Sequence, residues 1–213
     1  MRSTFAITAL MSCLTLFAAG EPATGPADTE ENLIANGDFE TPVASDRHLA
    51  LSKDQLDGWT IERGDVDVVS TYWPAKKGRQ SLDLNGLSRG VISQTVATRP
   101  GQWYRLTFHY AGNPDPNAGD AARAAEVQWG DKRVAGLKPE LGTFQDMRWT
   151  RAEYFVQAKA DRSTLLFISV TEGAYGVAID DVSLTACDDP AKAATTRPAD
   201  EIGDRAQRTS LEK

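Results

Sequence analysis

Cysteine and histidine are nearly absent from this 213-residue chain, which has two of each. If a leader is removed after Gly20, Cys187 is the only thiol left. No intrachain disulfide is then available, so the fold must rest on its core and on any metal it holds. His48 and His109 sit in no metal-ligand spacing such as H-x-x-x-H. The chain also lacks a G-x-S-x-G elbow, a phosphate-cradling glycine loop and a reactive-cysteine context. A glycosidase needs two carboxylates at a set separation across a cleft. Asp83 and Glu126 are one such pair, but nothing marks them above others. The balance of these absences favours a protein that is not an enzyme. Positive charge is in deficit as well: the formal net charge is −7, which argues against nucleic acid as a partner.

Long apolar runs are missing except at the start. Phe5 to Ala19 is apolar apart from small polar residues, follows Arg2, and ends at Ala18-Ala19-Gly20. It is too short to favour a spanning helix and reads as a signal peptide over 1–20. The expected location is secreted, extracellular or in the cell envelope, with no transmembrane segment. The alternative is a lipoprotein anchored through Cys13, since Leu10-Met11-Ser12-Cys13 loosely resembles a lipoprotein box. Residues 21–31 read as a flexible leader, 32–187 as one domain, and 188–213 as a disordered polar tail.

Within 32–187, short alternating apolar runs recur between turn signals, which predicts an all-β sandwich of about ten strands. The expected strands are 33–36, 59–62, 66–70, 81–85, 91–97, 103–110, 124–129, 148–157, 163–170 and 177–186. Residues 41–58 read as a long loop with room for a helical turn around Leu49 to Leu56. The clearest strand puts Tyr104, Leu106, Phe108 and Tyr110 on one face and Arg105, Thr107 and His109 on the other. Trp59, Trp129 and Tyr104 are assigned to the core.

The closing run, Ile179-Asp180-Asp181-Val182-Ser183-Leu184, poses a problem. By strand parity Asp180 shares a face with Val182 and Leu184 and points inward, where a carboxylate needs a cation or several donors. Far upstream, Asn36-Gly37-Asp38-Phe39-Glu40 sets two acids around an aromatic. The expectation is that the two segments meet near the ends of the sandwich and share a calcium ion. Two carboxylates about 4 Å apart repel by roughly 4 kcal/mol at an effective dielectric near 20. A hard cation wanting six to eight oxygens converts that repulsion into coordination. The competing reading has Asp38 and Asp180 capping turns through backbone N–H groups.

Asn32-Leu33-Ile34-Ala35-Asn36-Gly37-Asp38-Phe39-Glu40, Gly58-Trp59 and Gly64-Asp65-Val66-Asp67-Val68-Val69 together resemble the opening of choice-of-anchor C proteins. Those are bacterial secreted relatives of a plant cell-wall family of unassigned function. Gln80-Ser81-Leu82-Asp83-Leu84-Asn85-Gly86, Ala111-Gly112-Asn113-Pro114-Asp115 and Gly173-Ala174-Tyr175-Gly176 with Asp180-Asp181-Val182-Ser183 extend the likeness over about 32–186. The resemblance implies a galactose-binding-like jelly roll, the fold of many carbohydrate-binding modules, and no established activity. It also implies a structural calcium joining the first and last strand regions, for which Asp38, Glu40, Asp180 and Asp181 are the matching acids. Surface attachment is a further expectation, although the tail shows none of the family's usual anchor.

A sugar offers an apolar ring face to an aromatic side chain and a rim of hydroxyls to planar hydrogen-bonding groups. Tyr72-Trp73-Pro74-Ala75-Lys76-Lys77-Gly78-Arg79 is the best stretch for this, with Tyr72, Trp73 and Arg79 nominated. The plainer alternative is that Trp73 plugs the end of the core. Arg105, His109, Glu126 and Gln128 would line one open sheet face if their two strands are neighbours, and Tyr175 lies in a loop at a binding edge or a hinge. Asn113, Asp115 and Asn117 suit an oxygen-rich site or, more simply, a turn. The leading expectation is a secreted, non-catalytic module binding polysaccharide or glycan. The alternatives are a structural or adhesion protein that uses its sheet faces to bind protein, and a polysaccharide hydrolase or esterase.

Overall fold

The computed structural model describes residues 31–119 and 122–195. Eleven strands form: β1 (His48–Ser52), β2 (Thr60–Arg63), β3 (Asp65–Val69), β4 (Ser81–Asp83), β5 (Val91–Ala97), β6 (Trp103–Gly112), β7 (Ala125–Trp129), β8 (Lys132–Leu137), β9 (Thr150–Gln157), β10 (Arg162–Ser169) and β11 (Val177–Cys187). They make an all-β jelly-roll sandwich of two antiparallel sheets, ordered β1-β3-β4-β11-β6-β9 and β2-β5-β10-β7-β8. No helix among the described residues is long and apolar enough to cross a membrane. Pro190–Thr195 forms a short helix at the start of the segment expected to be disordered. Cys13, the proposed signal and leader up to residue 30, and residues 196–213 lie outside the described residues.

Two expectations at the front of the domain are corrected. His48–Ser52 pairs with β3 rather than forming a helical turn, because Leu49 and Leu51 alternate at strand period and Leu51 packs in the core. Leu33 to Asn36 forms no strand. It lies against β11 all the same: Leu33 N–H donates to the Leu184 carbonyl at 2.9 Å, and Val182 N–H to the Gly37 carbonyl at 2.8 Å. Between them Leu184 N–H bonds the Asn32 side-chain oxygen at 2.9 Å, so a side chain stands in for a ladder carbonyl. Gln94 ties the same segment to the other sheet, accepting from Ala35 N–H at 2.8 Å and donating to the Ala35 carbonyl at 3.0 Å.

The core fills the space between the sheets, with Leu106 and Phe108 from β6 facing Val127 from β7 and Leu165 and Phe167 from β10. Aromatic rings run through it from Phe39 to Trp59 (5.7 Å), Trp59 to Phe167 (6.0 Å) and Phe167 to Phe108 (5.1 Å, edge-on). Trp59, Trp129 and Tyr104 are buried as expected. A second, smaller core lies on the outer side of the six-stranded sheet. There Trp73 and Met147 cover Val69, Ala111 and Ala178, and Tyr72, Phe144 and Trp149 pack around them. The small side chains of Ala111 and Ala178 leave room for the indole, whose N–H donates to Ser81 Oγ at 2.9 Å.

The closing strand breaks its own parity. Asp180 stands opposite His109 and Ser183 opposite Thr107, so two residues of β11, Asp181 and Val182, face the single Phe108 of β6. Asp181 takes φ +53°, the left-handed conformation of a bulge. Ile179 therefore faces the core before the bulge, and Val182 and Leu184 face it after. Asp180 is turned outward, not inward as alternation predicts, and is buried beneath the 74–79 loop.

Candidate functional site

The loop after β6 is built to be rigid. Asp115 caps the short turn Pro116–Ala118 by accepting from Asn117 N–H at 2.9 Å. Asn113 accepts from Asp115 N–H at 2.9 Å and donates through its side-chain amide to Asp83 Oδ2 at 2.7 Å. The buried Arg123 holds both ends, from Nε to the Asn113 carbonyl at 3.0 Å and from Nη2 to the Asp115 carbonyl at 3.1 Å. Each of these groups is satisfied, so Asp115 has a fixed position.

Onto this loop folds the aromatic stretch before β4. The Tyr72 hydroxyl donates to Asp115 Oδ2. That bond, with burial, raises the Tyr72 pKa, and the charge of nearby Tyr175 adds to it. Burial pushes the Asp115 carboxyl up, but the Tyr72 and Asn117 hydrogen bonds outweigh it and hold the group below its ordinary range. Trp73 stacks on the Tyr72 ring at 5.4 Å, the Arg47 guanidinium lies 4.2 Å from the ring centroid, and the Phe144 ring is tilted against it at 4.8 Å between centroids. Arg47, Tyr72, Asp115, Pro116, Asn117 and Phe144 enclose an open pocket of about 350 Å³, at the small end of the range for ligand sites.

The structure thus brings Tyr72 and Tyr175 together with the Asn113–Asn117 loop, which sequence had treated as separate. Trp73 is a correction: at 3% exposure it is packing in the outer core and cannot stack a ligand. Arg79 points into solvent beside Glu40, 3.7 Å away. The pairing of Arg105 and His109 with Glu126 and Gln128 fails, because β6 and β7 belong to different sheets. Arg105 and His109 lie on the outer face of the six-stranded sheet, while Glu126 and Gln128 lie on the outer face of the other, where Glu126 pairs with Arg133 at 3.1 Å. Arg47 and Phe144 went unnoticed in the sequence. Phe144 carries a signal that was available, a lone aromatic inside a polar loop; Arg47 carries none.

Of the four acids nominated for calcium, Asp180 and Glu40 accept backbone N–H bonds from the 76–80 loop, Asp181 pairs with its Lys77, and Asp38 lies near the same lysine. Asp180 Oδ2 accepts from Lys76 and Lys77 N–H at 2.8 and 2.9 Å, and its Oδ1 from Asp181 N–H at 2.6 Å. Glu40 Oε1 accepts from Arg79 and Gln80 N–H at 2.6 and 2.9 Å. The Lys77 ammonium sits 2.9 Å from Asp181 Oδ1, and Asp38 is close enough for its charge to raise the Lys77 pKa. Among the described residues no group of three or more His, Cys, Asp or Glu side chains is placed to hold a metal. Backbone N–H groups on Asp180 and Glu40 are what the turn-capping alternative requires. Melting with chelator and with millimolar calcium decides between the two readings: an unchanged Tm is the result expected of capping, and a Tm that rises with calcium is the result expected of a metal site. His109 Nδ1 makes no hydrogen bond, although Asp181 Oδ2 lies 3.4 Å away. Burial, with the charges of Lys76 and Arg151, lowers the His109 pKa against the pull of Asp181.

Comparison with known proteins places this geometry in a family. The family profile described as a protein of unknown function, DUF642, matches residues 32–185. The chain is a DUF642 protein. Halomucin of Haloquadratum walsbyi is 31% identical over 194 residues, which is 86% of this DUF642 chain. The chain spans about 2% of the length of that relative. Among solved structures, a family 16 carbohydrate-binding module is similar at TM-score 0.48 and 20% identity, covering 72% of this chain and 99% of that one. TmCBM61, solved with β-1,4-galactotriose, is similar at TM-score 0.46 and 18% identity, covering 74% and 99%. The xylan-binding CBM22-1 domain of Paenibacillus barcinonensis Xyn10C is similar at 0.46 and 17%, covering 66% and 94%.

Proposed function

We propose that this DUF642 chain is a secreted, non-catalytic module, of the choice-of-anchor C type, that binds glycan at the Tyr72–Asp115–Phe144 pocket. One observation carries the reading. At a rigid loop end, a half-buried aromatic ring lies beside a fixed carboxylate, an exposed Asn117 and an exposed Arg47 around a space of about 350 Å³. That combination meets both surfaces of a sugar, the apolar ring face and the hydroxyl rim. The Tyr72 ring is already flanked by Trp73 and Arg47, so Phe144 is the ring left for a sugar to stack on. Asp115, held by its donors below its ordinary range, offers a sugar hydroxyl a fixed acceptor.

Affinity is expected in the millimolar to micromolar range, roughly −4 to −8 kcal/mol. The test is titration of the mature chain with a panel of neutral and acidic oligosaccharides. Phe144→Ala should weaken whatever binds by about tenfold, equivalent to the loss of one stacking contact. Undiminished binding by Phe144→Ala, or no retention of any polysaccharide, overturns the assignment. An adhesion role has one observation of its own, Phe155 exposed at 45% on the edge strand β9. Self-association abolished by Phe155→Glu, without glycan retention, would favour it.

A further inference from the structure

We infer that the pocket takes a sugar residue bearing a carboxylate, a uronate, and that Arg47 is the group that selects it; this rests on the glycan-binding reading above. Arg47 is positioned from both sides. Its N–H donates to Asp46 Oδ1 at 2.8 Å, its carbonyl accepts from Ser70 N–H at 3.0 Å, and the next residue, His48, pairs with Val69 at the start of β1. The backbone of this exposed arginine is therefore tied to the sheet, and its head is laid on the Tyr72 ring. Stacking on an aromatic face orders a guanidinium in a plane and leaves its N–H edge directed away from the ring.

Among the described residues that guanidinium forms no ion pair and no hydrogen bond, which it shares with the exposed Arg63, Arg99 and Arg162, but it is also laid on an aromatic ring at the edge of a pocket. The acid that lines the same pocket, Asp115, is already engaged by Tyr72 and Asn117. A planar fork of donors, ordered and without a protein acceptor, matches a carboxylate held by two parallel hydrogen bonds. Phe144 and Asn117 would meet the rest of the same sugar, its ring face and its hydroxyls. The charged groups around the pocket balance, Asp46 and Asp115 against Arg47 and the buried Arg123, so the guest's charge is not added to an acidic patch.

Oligogalacturonate and its methyl ester present the same sugar with and without the charge. The wild-type chain should bind the acid about tenfold or more tightly than the ester at low salt. In Arg47→Gln the ratio of the two affinities should fall to near one, with an unchanged Tm showing that the exposed substitution leaves the fold intact. Equal binding of acid and ester by the wild type, or a ratio that survives Arg47→Gln, overturns the uronate assignment and leaves glycan binding standing. Retention of neither ligand, nor of any other polysaccharide, overturns both.

Discussion

Unfolding free energy should fall by several kcal/mol as pH is raised from 5 to 8, the reverse of the usual behaviour of paired carboxylates. Asp83 is one of two main causes. It is fully enclosed on the outer face of β4, where burial pushes its pKa up to about 7 against hydrogen bonds from Asn85, Asn113 and Gly176. Gly176 is what permits this fit, since a Cβ there would meet Asn85 Oδ1 at 2.3 Å and Asp83 Oδ1 at 2.7 Å. Directly across the strands lies Asp67, also raised by burial, whose Oδ1 is enclosed and has no hydrogen-bond partner. The Asp67 charge adds to the rise at Asp83, and Asp67 itself feels the charges of His48 and Asp65.

The direction follows from proton counting. Below about pH 3.8 Asp83 is protonated in both states and contributes nothing. Between there and about 7 the unfolded chain releases this proton while the folded one keeps it, so rising pH costs stability, and above 7 the cost levels off. For Asp83 alone the whole span amounts to about 4 kcal/mol. Asp180, raised to about 7 by burial against three backbone N–H bonds, acts with the same sign. Asp65 and Asp115 act oppositely: their lowered pKa values give stability that is lost as pH drops through the acid range. Denaturant melts should therefore show stability falling from about pH 4 and levelling off above 7, and Asp83→Asn should remove about half of that slope. A wild-type profile that is flat or rising from pH 5 to 8 contradicts this picture.

Gly37→Ala should lower Tm by on the order of 10 °C. An added Cβ would stand 2.1 Å from the Val182 carbonyl oxygen and 3.0 Å from its carbon, both backbone atoms of the strand that the opening segment leans on. The chain can accept the methyl only by moving off β11, which loses the Val182-to-Gly37 bond and loosens the neighbouring Leu33 and Asn32 contacts. Overpacking of this kind costs about 1–3 kcal/mol, and each hydrogen bond lost adds about 1 kcal/mol. Calorimetry on the two proteins checks it. A shift under about 2 °C would mean that the opening segment contributes little to the domain.

That segment shows how far the sequence could be read. The meeting of Asn32–Glu40 with β11 was legible, because acids beside buried aromatics must find donors and the closing strand offered a match. What the acids do there was not legible. The bulge at Asp181 reverses the parity of everything after it, and a single left-handed residue leaves no trace in an alternating pattern. Nine of the expected strands reappear with ends shifted by two residues or fewer, because inward residues such as Leu106, Phe108, Leu165 and Phe167 recur at period two. Sheet membership is a different matter. Polar alternation on β6 and β7 gives each an outer face, but only the strand order reveals that those faces look in opposite directions. Trp73 had room to be either ligand platform or packing, and the choice was made by Ala111 and Ala178, two small residues distant in sequence. The pocket itself depends on contacts across 43 residues, from Tyr72 to Asp115, which no local pattern encodes.

Backbone amide shifts during titration with oligosaccharide test the location of binding most directly. The expected result is saturable movement confined to residues around Arg47, Tyr72, Asn117 and Phe144, with the outer face of the five-stranded sheet silent. Movement centred on Glu126 and Gln128, with the loop pocket unchanged, would contradict the assignment of the site.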